Sequence, residues 1–492
     1  MTEQRYRRET EKRQERLLIR ACCLGSLLAS LTLLPSACTV GPHYEPPVAP
    51  IPVAFKEAEG WKIAQPADDA PRGPWWEIFQ DPQLNALQEQ IEVSNQSLAM
   101  AEAQFRSARA AIGVARAAQL PTVTGTVGVS GSRPSLNRSG SSDNASSDLR
   151  ASYQLPLEAS YELDVWGRIR RLVEANIATA QASAADVEAV RLSLHAELAV
   201  HYFSLRGLDA QKQLLDLTVS AFERALELTT NRYNQGVASQ IEVVQATTQL
   251  ETVRAQVLEV GVQRTQFEHA IAILLGKPPS EFTLEPAPMT GPPPLIPLAL
   301  PATLLERRPD IAAAERRVAA ANAQIGAAQA AFYPTVTLRA SAGLESSSLL
   351  NLFSWPSTLW SLGSSLAQVV FDGGRRQALT EQARAAYDAT VASYRQTVLV
   401  ACQNVEDNLA VLRILEAEAA QQAKAQAAAE TTLLLSLNRY KGGVTTYLEV
   451  ITAQSAALTA ARTSIDLLTR RMNAAVLLIR ALGGGWIPLS ST

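Results

Sequence analysis

Cysteine is nearly missing. Only four occur in 492 residues, and three of them (Cys22, Cys23 and Cys38) fall within the first 38 positions, which leaves Cys402 alone in the body. No intrachain disulfide framework can form there, and a lone helical cysteine behaves as a small apolar residue. Histidine is as scarce, with four residues (His43, His195, His201, His269) and no HExxH, and the chain carries no P-loop, GxGxxG or GxSxG. His195 and His201 stand six apart and share no helix face, so neither a metal centre nor a catalytic dyad is expected. A basic excess is missing too. The net charge of -3 excludes the positive surface that binding to nucleic acid requires. These absences set aside enzymes, cofactors and nucleic-acid partners, while 47% apolar residues against 18% charged ones set aside disorder.

What is present begins with a leader. The basic stretch RYRRETEKRQER from Arg5 to Arg16 precedes an apolar run over 17–34, the layout of an export signal. It ends in LPSAC, with Ser36 and Ala37 before Cys38, the pattern on which a lipoprotein signal peptidase acts. Residues 1–37 are therefore expected to be removed and Cys38 acylated, with a plain secretory signal cut near the same place as the alternative. Residue 39 is Thr and not the Asp that retains lipoproteins in the inner membrane, so the expected destination is the outer membrane.

The mature part divides into an extended strap (38–80), a first repeat (81–276), a proline-dense linker (277–300), a second repeat (301–482) and a short tail (483–492). Residues 95–124 match 308–337 without a gap: Pro121 pairs with Pro334, an offset of 213, and PTVT recurs. Farther on, the offset is 207, pairing Arg168 with Arg375, NRY at 231–233 with NRY at 438–440, and Glu242 with Glu449. Within each half a proline-free stretch with apolar residues three and four apart predicts a very long helix, over 167–233 and 374–440. Shorter partners are predicted over 238–275 and 446–482. Abundant alanine lets such helices pack closely.

Strands are predicted over 121–131, 150–165, 334–345 and 358–371, the last from the repeat alone. The second alternates without a lapse, with Tyr153, Leu155, Leu157 and Tyr161 on one face and Gln154, Glu158, Glu162 and Asp164 on the other. A sheet with one apolar and one charged face suits a transmembrane barrel with lipid outside and water inside, which makes Glu158, Glu162 and Asp164 candidate lumen-facing residues. Trp166, Trp355 and Trp360 lie near strand ends, where interface girdles or ordinary core anchors collect. Four strands cannot close a barrel. Three copies would give twelve, with a lumen, above a barrel of twelve long helices. The fold class expected is thus mixed α and β: a trimeric twelve-stranded barrel continuous with a long α-helical barrel.

The starting CTVGPHYEPP (38–47), WWEIFQDPQL (75–84), DVWGR (164–168), FDGGR (371–375) and the two NRYxxGV turns together resemble the TolC-type outer-membrane factors, in particular their lipoprotein branch serving multidrug efflux. The resemblance spans essentially the whole mature chain. It implies a homotrimeric exit duct for small toxic compounds, partnered by a periplasmic adaptor, an inner-membrane transporter and outer-membrane lipid, with the helices in the periplasm. It also implies a gate at the two helix turns. There the candidate gate and adaptor-contact residues are Tyr233, Gly236, Glu242, Tyr440, Gly443, Thr445 and Glu449, with Tyr440 and Glu242 matching a tyrosine and an acid that hold the closed state. Thr445 departs from the charged residue frequent in relatives. Gly236 and Gly443 suit a helix stop, and Glu242 and Glu449 also suit a plain helix start. Two alternatives remain at this point: a duct for secreted polypeptides, and a structural coiled-coil lipoprotein without a pore.

Overall fold

The structure is a computed structural model that describes residues 39–49, 52, 55–56, 73–133, 150–289, 291–294, 296 and 307–484. Cys38 and the leader lie outside the described residues. The chain forms two compact units. Among the described residues, one comprises 39–45, 109–133, 150–178 and 318–389; the other comprises those within 46–108, 179–317 and 390–484.

The first unit carries the sheet: β1 (Thr122–Gly125), β2 (Gly128–Ser132), β3 (Arg150–Leu163), β4 (Thr335–Ser346) and β5 (Thr358–Ala367). All neighbours are antiparallel in the order β1-β3-β4-β5, with β2 also on β3. The register stacks like on like. Leu155, Leu157, Ala159 and Tyr161 face Leu344, Ala342, Ala340 and Leu338, and β5 adds Trp360, Leu362 and Leu366 to the same side. The opposite side collects Glu158, Glu162, Arg339 and Ser341. Cross-strand neighbours of like polarity on each face are what fix a register, because a one-residue slip would invert both faces.

Two expected strands are interrupted, both by proline. The stretch expected as one strand over 121–131 is split because Thr126 stands opposite Pro156: its N–H donates to the Pro156 carbonyl (3.1 Å), but Pro156 has no N–H to return. The last strand stops at Ala367 and not at 371, because the next residue would pair with Pro334. On the other flank of Pro156 stands Gly343, where a side-chain carbon would come within 2.5 Å of the Leu155 carbonyl oxygen. The backbones approach there as only glycine permits.

At the foot of β3 the Trp166 indole donates to the Pro334 carbonyl (2.9 Å) and stacks on Tyr333 at 4.7 Å. The strap is pinned here too: Val40 donates to the Trp166 carbonyl, and the buried Arg171 guanidinium donates to the carbonyls of Val40 and Gly41 (3.2 Å each).

The helices run through both units, and the second unit contains only helices and turns among its described elements. The turn at Trp75–Phe79 leads into α1 (Pro82–Ser94) and α2 (Gln96–Ala117). Asp81 caps α1 by accepting from the N–H groups of Gln83 (2.9 Å) and Leu84 (3.1 Å). The chain continues through α3 (Arg168–Asn234), α4 (Gln240–Leu274), α5 (Pro309–Ala330), α6 (Arg375–Lys441) and α7 (Tyr447–Ala481). Lengths recur between the halves: α3 and α6 each have 67 residues, and α4 and α7 each have 35. The main core joins Trp75, Leu84 and Ile91 to Leu198, Leu205, Val405, Leu409, Val476 and Ile479.

Polar ties lock α1 onto α3. Tyr202 donates to Asp81 (2.6 Å), and the buried His195 lies against Gln88 (2.6 Å) and Glu92 (2.9 Å), stacked on Trp76 at 4.4 Å. Burial pushes the His195 pKa down, with Glu92 opposing. Among the described residues no group of acids, histidines and cysteines could hold a metal, and no helix is long and apolar enough to cross a membrane.

Candidate functional site

The turns between α3 and α4 and between α6 and α7 have one construction. The Gly236 N–H donates to the Tyr233 carbonyl (2.9 Å) and the Val237 N–H to that of Arg232 (2.8 Å), while Gly443 and Val444 repeat the bonds to Tyr440 (3.0 Å) and Arg439 (2.9 Å). Both glycines have φ +74°, a left-handed stop that satisfies the last carbonyls of the long helices. Glu242 and Glu449 sit in the first turns of α4 and α7, where a carboxylate complements the helix dipole.

The side chains differ between the turns. Tyr440 is 2% exposed, and its hydroxyl donates to the Glu242 carboxylate at 3.0 Å, tying the second turn to the first. The Arg232 guanidinium lies 4.6 Å from the Tyr440 ring centroid and also donates to the Tyr440 carbonyl (2.9 Å), so one cation holds both ring and backbone. Tyr447 packs on Tyr440 at 5.3 Å, and Ala246 and Val450 complete the cluster. Burial raises the Tyr440 pKa; a hydrogen bond with Thr229 opposes the rise and the one to Glu242 adds to it. Burial pushes Tyr447 up to about 12. Both phenols therefore stay protonated at neutral pH, and Tyr440 is a permanent donor to Glu242.

Glu449 makes a separate set. Thr445 donates its hydroxyl to the Glu449 carboxylate, and Arg439 pairs with it at 3.3 Å, so Thr445 takes part through its hydroxyl without a charge. Tyr233 stands 43% exposed, away from the Tyr440 cluster. Of the seven candidate gate residues, two thus meet directly (Tyr440 and Glu242), two meet each other elsewhere (Thr445 and Glu449), and two glycines shape the turns. Arg232, Thr229 and Tyr447 escaped the sequence reading. The repeated NRY tripeptide held the signal for Arg232, which precedes Tyr233 as Arg439 precedes Tyr440.

The candidate lumen residues separate. Glu158 is exposed and lies in register with Ser341 and Thr124. Glu162 binds Arg168 through both carboxylate oxygens (2.9 and 2.8 Å). Asp164 corrects the expectation: β3 has ended at Leu163, and the carboxylate turns to the start of α3, accepting from the N–H groups of Ile169 (2.9 Å) and Arg170 (2.8 Å). It is a helix cap, a role aspartate fills because four N–H groups begin each helix unpaired. Asp372 does likewise before α6, and its hydrogen bond with Arg376 pulls its pKa below the usual carboxylate value.

A sequence model described as outer membrane efflux protein matches residues 87–277 and 300–484, one segment in each half of the chain. The chain belongs to that family. The outer membrane protein OprJ of Pseudomonas aeruginosa is 33% identical over 466 residues, covering 94% of this chain and 96% of that protein. The toluene efflux pump outer membrane protein TtgF of Pseudomonas putida is 31% identical over 472 residues, covering 94% and 98%. Among solved structures, the outer-membrane channel OprN superposes with a TM-score of 0.84 at 30% identity over 92% of this chain and all of that one, and CusC with 0.81 at 28%. The protein is an outer-membrane efflux channel, not an enzyme. A structural rod without a pore is thereby excluded.

Proposed function

We propose that three copies of this efflux protein form one closed duct, a passive exit for small toxic or drug-like compounds within a tripartite pump, closed at the α3–α4 and α6–α7 turns. The observation that carries this reading is the sheet. Among the described residues β5 pairs only with β4, and β1 and β2 pair only with β3, so each chain offers two edges beside an apolar face. In lipid each unpaired backbone group costs several kcal/mol, which a cyclic union of sheets removes. With β1 and β2 counted as one broken strand, three chains supply twelve strands, enough for a lumen, whereas two supply eight and a filled interior.

The equal lengths of α3 and α6 and of α4 and α7 support a helical barrel of repeated hairpins in the periplasm. A relative named for toluene efflux supports a small, toxic cargo over a secreted polypeptide. A periplasmic adaptor would dock at the helix turns, and an inner-membrane transporter would supply the energy. Cys38, acylated, would anchor the strap that Arg171 pins, with Glu158 and Glu162 turned to the lumen. Native mass spectrometry of the detergent-extracted protein tests the assembly: a mass of three chains is expected, and a dimer or monomer would overturn the reading.

A further inference from the structure

The Tyr440 junction uses only half of what the repeat provides. Arg232, Glu242 and Leu228 come from the first turn region, and Tyr440 and Ile451 come from the second. Shifted by 207 positions, Arg232, Glu242 and Leu228 become Arg439, Glu449 and Leu435, while Tyr440 and Ile451 shift back onto Tyr233 and Val244. Every member of this second set is present in kind. The two sets differ in burial: Tyr440 is 2% exposed and Tyr233 43%, and Leu228 and Ile451 pack partly buried in the cluster, whereas Leu435 is 60% and Val244 57% exposed. The side chains of Arg439 and Glu449 are 56% and 40% exposed.

We propose that a second copy of this chain covers this patch, placing its Tyr233 ring against Arg439 and its Tyr233 hydroxyl on Glu449, the counterpart of the Tyr440 junction between chains. The inference rests on the trimeric reading, since in a ring of six alternating turns every second junction lies between chains. Chemistry selects the occupant. An exposed tyrosine and an exposed arginine–carboxylate pair lie on the same chain, in the combination that is already satisfied once within it, and a heterologous contact repeated around a closed ring uses both halves in every copy. The second junction also differs in its surroundings: Gln240, Thr230 and Ser436 stand where Tyr447, Leu437 and Thr229 flank the first, and Thr445 already donates to Glu449.

Cross-linking decides it. Tyrosine and glutamate are long, so cysteines in their places stand too far apart for a disulfide, and a short bifunctional maleimide is the suitable reagent. In the full-length membrane protein carrying Cys402→Ser, the pair Tyr233→Cys with Glu449→Cys is expected to shift the band from one chain to two and three. The pair Tyr440→Cys with Glu242→Cys is expected to link within a chain and leave the mass of one. A native trimer in which the Tyr233 and Glu449 pair gives only the single-chain band overturns this inference and leaves the trimeric duct standing. Absence of a trimer in native mass spectrometry overturns both.

Discussion

Replacing Tyr440 by Phe together with Glu242 by Ala removes the Tyr440 to Glu242 hydrogen bond between the two turns, along with the Thr229 contact and the carboxylate at the start of α4, and leaves the Arg232 bond to the Tyr440 carbonyl in place. The phenylalanine ring keeps the Arg232 contact and the packing on Tyr447, so the cluster with Ala246 and Val450 survives. A hydrogen bond to a charged group contributes about 1.5–3 kcal/mol. The Glu242 carboxylate is only half-buried and recovers water, which lowers the net loss to about 1–2 kcal/mol per chain. The two substitutions share that bond, so their effects do not add. In a ring of three chains that opens in one step, the total is about 3–6 kcal/mol, which lowers the closed-to-open ratio by roughly two to four powers of ten. Resting conductance in planar bilayers should rise accordingly, and cells should admit large antibiotics, with Tyr440→Phe alone giving most of the effect. Unchanged conductance at normal trimer yield would remove this pair from the gate.

Arginine at Leu157, on the apolar face opposite Ala342, should cost about 2–4 kcal/mol of membrane insertion, while arginine at Gln154 on the other face should be mild; a heat-shift assay on folded barrel checks this, and equal effects would refute the assignment of faces. Mass spectrometry of the membrane-extracted protein should find Cys38 acylated at the mature N-terminus, and an unmodified terminus elsewhere would refute the anchor. Tyr447 holds its proton up to about 12 in the fold, against an ordinary value of 10.0, so its contribution to stability is complete below about pH 10 and is lost as pH rises toward 12. Thermal midpoints at about pH 8 and about pH 11 should diverge, and Tyr447→Phe should remove about 1.4 kcal/mol of that divergence, since pH 11 lies only half-way between the two pKa values.

Periodicity carried most of the fold because each element's signal is local: period two over 150–163, three- and four-residue steps along the long helices, glycine at each stop. What escaped it depends on partners. Pro156 is plain in the sequence, but its effect falls on the strand across from it, at Thr126, and Pro334 likewise ends β5 more than thirty residues away. Alternation alone placed Asp164 with Glu158 and Glu162, whereas the unpaired N–H groups of the following helix claimed it. At the turns, Tyr440 and Glu242 were reached through resemblance. The stacking of Arg232 depends on which hairpin packs on which, and no spacing encodes that.

The most direct test of the duct is the current it carries. Protein purified as a trimer and inserted in a planar bilayer should show discrete openings of a single unit size, rare in the native chain and frequent once the Tyr440 to Glu242 bond is removed. A correctly folded trimer that passes no ions, with or without that bond, would contradict the account.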